Sequence, residues 1–482
     1  GVRRLTRAEL RRTVLDATGV DPDVDAILDD REIINLQNDA GRSTVNEPGQ
    51  MLAYLELATN VAGRVDIDAR LPCAATCTDA ELRAYLEPAF AQRLGETDLA
   101  RYRDLYVRAT DTLSPEFARR AVVQASLISP KIIYRTEVGD ASGQLTPHEL
   151  ADKISYFLIG RAPDAELRAL ADDGTLADEV VLAGQVDRLL ADPRAEEALV
   201  AFFFDWLGLE HLDLSLKLAA DELPEGLDRS MVEEASRMIR RVVFQDGGTL
   251  RELLTTRTTE IDGNLAAHYG ISGITGAEFQ EASLEGTQRA GLLTTGLVLA
   301  AHAKESGRSP MQRGNFLIAE VMTLGFPAEF GAAAMTLPDG VDDLSFREQF
   351  EPLETTQPCL NCHRMLNAGF AFDLFDSVGR RFPADRVGPE ETVATFDAPP
   401  YSSVSFDTTV EAVEGLSRHA LMRRSFVGQM FHSAQGSAPS DDDADTMSDL
   451  EDAYEATEGD VLALMRDIAL SSRFRAAVEV SE

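Results

Sequence analysis

The sequence predicts a mainly α-helical protein of several multi-helix domains, with one small β element. Two capping boxes, Thr6 with Glu9 and Thr146 with Glu149, precede residues with helical hydrophobic spacing. The 482 residues are 44% hydrophobic, which is enough to bury several cores. Residues 382–409 differ, because Val, Thr and aromatic residues alternate there between Pro and Gly, and this pattern predicts a hairpin or flap.

Taken in order, apolar residues at intervals of three and four predict helices along most of the chain. Some starts carry a Ser or Thr cap followed by proline, as at Ser114 and Pro115. The predicted helices are 6–15, 51–62, 79–94, 98–109, 115–128, 147–159, 164–172, 180–190, 194–207, 228–244, 249–254, 264–269, 292–303, 311–324, 408–416, 418–431 and closing helices within 448–478. We expect loop with a short helix at 21–49, and loop followed by a short helix at 326–351.

The order of these patterns suggests five domains. Residues 1–66 form an N-terminal helical domain, and residues 67–140 form a second helical domain that opens with a cysteine-bearing turn. A central helical domain follows at 141–285. Residues 286–385 hold the motif described below, and residues 386–482 combine the β element with C-terminal helices.

The chain is strongly acidic, with 82 Asp and Glu against 45 Lys and Arg and a formal net charge of −37. Such a field repels phosphate backbones and anionic lipid headgroups, which argues against nucleic-acid binding and against attachment to an acidic membrane. It favours a basic protein partner, or serves only to keep the protein dispersed.

No apolar run reaches the 18 or more residues of a membrane span, since the longest are 201–209 and 292–303. The residues after Gly1 lead directly into a helix pattern and do not resemble a signal peptide. We therefore expect any targeting segment to have been cleaved or to lie outside this sequence.

The most specific motif is Cys359-Leu360-Asn361-Cys362-His363, a Cys-x-x-Cys-His sequence of the kind that attaches c-type haem. On a helical turn, positions i, i+3 and i+4 share one face, so both thiols and the imidazole point the same way. Two thioether bonds from Cys359 and Cys362 to the porphyrin then place His363 beneath the iron as its proximal ligand. One covalent haem is the predicted cofactor.

Three other interpretations of this motif stay open. A redox dithiol usually opens a helix after a strand, whereas the residues before Cys359 are acidic and loop-like. A zinc site needs two more ligands, and the other cysteines, Cys73 and Cys77, are distant in sequence. The motif could also have arisen by chance.

Cys73 and Cys77 are separated by three residues, and a disulfide across such a turn is sterically feasible. It would persist only in an oxidising compartment. We expect a structural disulfide, with two free buried thiols as the alternative. The bridge and the attached haem both favour a periplasmic, extracellular or outer-membrane-associated location.

The second axial ligand decides whether the iron is closed, as in electron transfer, or open to O₂ or peroxide. His302 is the leading distal candidate, because it follows an apolar helical run and precedes a loop; an ordinary core or capping role is the alternative. Met335, in an Ala-rich loop, is the second candidate. Met430, His432 and an open site remain.

Arg313 and Arg380 are candidate partners for the haem propionates, because a guanidinium forks onto a carboxylate. Salt bridges within an acid-rich protein are the alternative for both arginines.

The order of segments resembles the planctomycete-type cytochrome c proteins, a family of multi-domain, extracytoplasmic and mostly helical proteins. The matching stretches are 4–13, 129–135, 150–158, 191–194, 289–294, 309–314 and the motif through 369–372 to 375–380. The resemblance covers nearly the whole chain and modestly supports His302. The chain departs from the family at Met365-Leu366-Asn367-Ala368, one residue shorter, and at 433–437, which lack a Tyr and an Arg.

Three function classes follow. The first is a mono-haem electron-transfer protein, acting as the redox subunit of a larger assembly, because a pure carrier of one haem needs far fewer residues. The second is a haem-dependent peroxidase or oxygenase. The third is a structural or interaction subunit that haem stabilises.

Overall fold

The computed structural model describes residues 1–27, 48–73, 76–209, 212–324, 346–355 and 360–477. Over these ranges the chain is mainly α-helical, as predicted. It divides into two compact units. The first comprises Gly1–Ala201, Met430–Ser448 and Met465–Glu482, and the second comprises Phe202–Gln429 and Asp449–Leu464. The five-domain division stays a prediction.

Short connections join most of the helices. They are α1 Arg7–Thr18, α2 Pro48–Arg64, α3 Ile67–Arg70, α4 Asp79–Phe90, α5 Glu96–Thr112, α6 Pro115–Leu127, α7 Pro130–Ile133, α8 Pro147–Ile159, α9 Ala165–Asp172, α10 Glu179–Leu190, α11 Arg194–Trp206, α12 Leu227–Arg240, α13 Leu250–Thr255, α14 Gly263–Tyr269, α15 Gly296–Ala301, α16 Pro310–Asn315, α17 Phe346–Thr355, α18 Leu360–Leu366, α19 Thr409–Ser417, α20 Ala420–Gln435, α21 Ala444–Ala456, α22 Val461–Leu470 and α23 Ser472–Arg475. Within the described ranges, every helix is too short or too polar to cross a bilayer.

Both predicted capping boxes are confirmed. The Thr6 hydroxyl accepts a hydrogen bond from the Glu9 backbone N–H at 3.2 Å, and the Glu9 carboxylate accepts one from the Thr6 N–H at 2.9 Å. Thr146 and Glu149 repeat this exchange at 3.3 and 3.0 Å. Each exchange satisfies two backbone donors that a helix start leaves unpaired, which fixes where α1 and α8 begin.

Strands form three two-stranded antiparallel sheets in the described residues. They pair β1 Val2–Arg4 with β2 Tyr134–Thr136, β3 Thr258–Ile261 with β4 Gln280–Ser283, and β5 Ala394–Phe396 with β6 Val404–Phe406. The third sheet confirms the predicted hairpin. The first two were not predicted: β1 and β2 lie far apart in the sequence, and helix α14 stands between β3 and β4.

Two sets of buried charges in the first unit are paired. The Lys153 ammonium lies 3.0 Å from the Glu137 carboxylate and donates a hydrogen bond to the Gln435 side-chain oxygen at 2.7 Å. The Glu9 carboxylate lies 3.5 Å from the Arg135 guanidinium. Because an unpaired buried charge costs several kcal/mol, on the order of 3–5 when one partner is removed, these pairs hold the elements that carry them in one arrangement.

The first unit also contains the predicted disulfide. Cys73 and Cys77 are bonded, with their Cα atoms 5.0 Å apart, and Cys73 is buried. The bridge closes the turn between α3 and α4. It therefore fixes a local connection within this unit.

Candidate haem-attachment site

The described part of the Cys-x-x-Cys-His motif, residues 360–363, lies at the start of a helix. Helix α18 begins at Leu360 and carries His363 at its middle. Cys359 and the Cys362 side chain lie outside the described residues. The motif residue whose surroundings are described is therefore the histidine.

His363 is a buried, neutral imidazole. Its exposure is 9%, and its ring centroid lies 6.2 Å from that of Phe350 in α17. Burial lowers the pKa of His363 below its usual value, so the ring is uncharged at neutral pH. Its Nδ1 atom is buried and makes no hydrogen bond to any described residue. A neutral imidazole is the form that binds a metal, so His363 fits the role of an iron ligand.

Two glycines bring the segment after the motif against α16. A Cβ on Gly369, in the 3₁₀ turn Asn367–Phe372, would overlap the Pro310 carbonyl oxygen and lie 2.8 Å from the Gly314 Cα. A Cβ on Gly314 would in turn overlap the Leu366 carbonyl oxygen. The two backbones are in direct contact, which only residues without a side chain allow. This contact fixes the C-terminal end of α18.

Arg313 lies at this crossing and is fully buried. Its guanidinium donates hydrogen bonds to the carbonyl oxygens of Phe372 at 2.8 Å, Phe375 at 2.7 Å, Leu299 at 3.0 Å and Asp376 at 2.7 Å. Burial lowers the pKa of Arg313 to about 10, so it stays charged at neutral pH. These bonds hold the turn after the motif against α15 and α16. A contact of Arg313 with a haem propionate stays a prediction.

The β5–β6 hairpin is tied to the motif helix through Asn367. The Asn367 side-chain oxygen accepts a hydrogen bond from the Thr395 N–H at 2.7 Å, and its amide donates to Glu354 in α17 at 2.5 Å. Arg364 in α18 also pairs with Asp397, at the end of β5. Neither Asn367 nor Asp397 was predicted as a site residue. One feature of the sequence could have indicated Asn367: it lies in the stretch where this chain departs from the family it resembles.

His302 ends α15 in a closely packed position. Its Nε2 donates a hydrogen bond to the Leu207 carbonyl oxygen at 2.8 Å, and its ring stacks on Phe316 with centroids 3.7 Å apart. Burial lowers the pKa of His302 to about 4, so its 3.8 Å approach to Glu320 is not an ion pair at neutral pH. Iron ligation through Nε2 would require the bond to Leu207 to break. The distal role of His302 stays a prediction.

The remaining candidate residues are Arg380, Met430, His432 and Met335. Arg380 pairs with Asp376 at 3.1 Å and Glu222 at 3.5 Å. Met430 and His432 are buried residues of the first unit, and burial lowers the pKa of His432 to about 4. Met335 lies outside the described residues.

Three family models match the chain. PSD3 (DUF1587) matches residues 3–66, PSD4 (DUF1592) matches 145–271 and PSCyt3 (DUF1588) matches 289–383; each is described as a protein of unknown function. Together they cover more than half of the chain, and the PSCyt3 range includes the Cys-x-x-Cys-His motif. Among curated proteins and solved structures, none matches this chain.

Proposed function

Because this chain belongs to the planctomycete-type cytochrome c family, we propose that it is an extracytoplasmic c-type cytochrome whose single haem transfers electrons within a larger assembly. The observation that carries the proposal is the Cys-x-x-Cys-His motif, with His363 held as a buried, neutral imidazole on α18. A one-electron change at the iron is the chemistry that a haem supplies when bound.

The residues that would hold the haem are Cys359 and Cys362 by thioether bonds and His363 as the proximal ligand. The rest of the described segment keeps this histidine in place. Arg313 and the Gly314–Gly369 contact fix the turn after α18, and Asn367 links the helix to the hairpin. A ligand held by packed elements changes position little between oxidation states, which suits electron transfer.

The charge of the chain supports a basic redox partner. A formal net charge of −37 attracts a positively charged protein over long range, and salt screens this attraction. The disulfide and the haem attachment both favour the periplasm or another extracytoplasmic location. Docking within an assembly gives the large helical scaffold a role beyond holding one haem.

An absorption spectrum of the purified protein, reduced with dithionite and then exposed to carbon monoxide, tests the electron-transfer proposal. We expect a sharp reduced α band that carbon monoxide leaves unchanged, because two axial ligands close the iron. A large shift on adding carbon monoxide would instead favour a peroxidase or oxygenase.

The same spectrum distinguishes the distal candidates. His302→Gln and Met335→Gln each remove one candidate ligand while keeping a side chain of similar size. The variant that gains carbon monoxide binding identifies the ligand, and Arg101→Gln, at an exposed arginine of α5, serves as a control that should bind none. If neither variant gains it, both candidates are wrong.

A further inference from the structure

A cavity of about 390 Å³ in the second unit, which we call the arginine pocket, has cationic walls in a strongly acidic chain. It is lined by Arg251 of α13, Arg418 and Arg423 beside the start of α20, and Tyr454 near the end of α21. From this geometry we propose that the arginine pocket binds a small organic anion, a carboxylate or a phosphate monoester.

The arginines retain unused hydrogen-bonding capacity. Arg251 makes no side-chain hydrogen bond or ion pair with the described residues. Arg423 pairs with Glu455 at 3.0 Å, but its buried Nε has no hydrogen-bond partner in the described part of the chain. Arg418 lies 4.0 Å from Glu414, outside the pocket wall. The wall itself holds three arginines against two glutamates, Glu455 and Glu458, so its positive charges outnumber its negative ones by one. Planar guanidinium groups suit carboxylate and phosphate oxygens.

Tyr454 is an independent observation that points to a ligand. Only 3% of the residue is exposed, yet it lines the pocket, and its hydroxyl makes no hydrogen bond to a described residue. Burial raises the pKa of Tyr454 well above its ordinary value, so the hydroxyl keeps its proton and can donate it to an acceptor. The ring is buried while the residue lines the cavity, so an anion in the pocket would give the hydroxyl an acceptor.

The start of α20 adds to the positive potential. This helix has 16 residues, and its first turn faces the pocket through Met422 and Arg423. The Leu421 N–H donates to the Nδ1 atom of His419 at 3.2 Å, and the His419 Nε2 donates to the Ser402 carbonyl at 3.1 Å. His419 therefore caps the helix, and the positive end of the helix dipole lies beside the arginines.

The size of the pocket and its wall define the ligand class. A cavity of about 390 Å³ holds a small molecule rather than a protein segment. Guanidinium groups would bind the anionic end, and the Tyr454 hydroxyl would donate to an acceptor oxygen of the ligand. The proposal does not depend on haem, because none of these contacts involves the iron.

Isothermal titration calorimetry of the full chain with citrate and with glycerol 3-phosphate tests this proposal and distinguishes the two anion types. We expect one site for at least one probe, with binding that weakens as salt is added. Arg251→Gln should weaken binding by about tenfold or more, the loss expected for one charge-assisted hydrogen bond. Because Arg251 is exposed, this variant should fold normally.

Arg101→Gln, which removes an exposed arginine of α5, is the matched control and should bind like the unmodified protein. Tyr454→Phe should also weaken binding, and its thermal unfolding separates a binding defect from a folding defect. Absence of binding at millimolar concentrations of both probes, or equal weakening by Arg251→Gln and Arg101→Gln, would overturn the proposal.

Discussion

An Arg313→Gln variant should lose at least about 3 kcal/mol of unfolding free energy. The guanidinium donates to four backbone carbonyl oxygens in the buried crossing of α15, α16 and the turn after α18. Glutamine has two N–H donors on one nitrogen and cannot reach all four acceptors. The remaining carbonyls would lose a buried charge-assisted partner, at a cost of about 1–3 kcal/mol each before relaxation.

Arg380→Gln is the matched control for this prediction. It makes the same substitution at an arginine whose side chain is 37% exposed and which forms ion pairs with two carboxylates, those of Glu222 and Asp376. Exposed ion pairs contribute about 0–1 kcal/mol, so little change is expected. Urea unfolding followed by circular dichroism measures both variants. Equal stability of the two would contradict the structural role given to Arg313.

Gly369→Ala should destabilise the protein by about 2–4 kcal/mol, although it adds only one methyl group. The new Cβ would overlap the Pro310 carbonyl oxygen and approach the Gly314 Cα to 2.8 Å. Both obstacles are backbone atoms, so no change of rotamer can remove the clash. The two segments would have to separate, and the end of the motif helix would move with them.

Gly428→Ala is the control for this substitution. Gly428 lies inside α20, and a Cβ there would meet no atom within 4 Å. Alanine in a helix interior is favoured over glycine by about 0.5–1 kcal/mol, so this variant should be slightly more stable than the parent. Thermal unfolding of both variants measures the contrast. If Gly369→Ala unfolds at the same temperature as Gly428→Ala, the backbone contact at Gly314 is not as close as described.

Structural features formed by residues close together in the sequence were predicted correctly. The capping boxes at Thr6 and Thr146 are confirmed because cap and helix lie within four residues of each other. The β5–β6 hairpin is confirmed for the same reason, since its strands are close in sequence. The pairing of β1 with β2 was missed, because Val2 and Thr136 meet only after the intervening helices have folded.

The hydrogen-bond partners of the site residues could not be predicted from sequence, because they lie in distant segments of the chain. The Cys-x-x-Cys-His spacing is a local signal, so the candidate haem-attachment segment could be proposed from sequence. Whether Arg313 contacts carbonyls or His302 contacts Leu207 depends on elements far away in the chain. Residue type restricted these side chains to a few roles, and tertiary packing determined their partners.

Mass spectrometry of the protein, purified from the periplasm of a host that attaches haem to c-type cytochromes, tests the central claim most directly. We predict a mass increase of one haem on the peptide that contains Cys359 and Cys362, and no increase in the double variant with alanine at both positions. The Cys73–Cys77 peptide should carry no added mass beyond its disulfide in either protein. An unmodified peptide with free thiols at Cys359 and Cys362 would contradict the assignment of this chain as a haem protein.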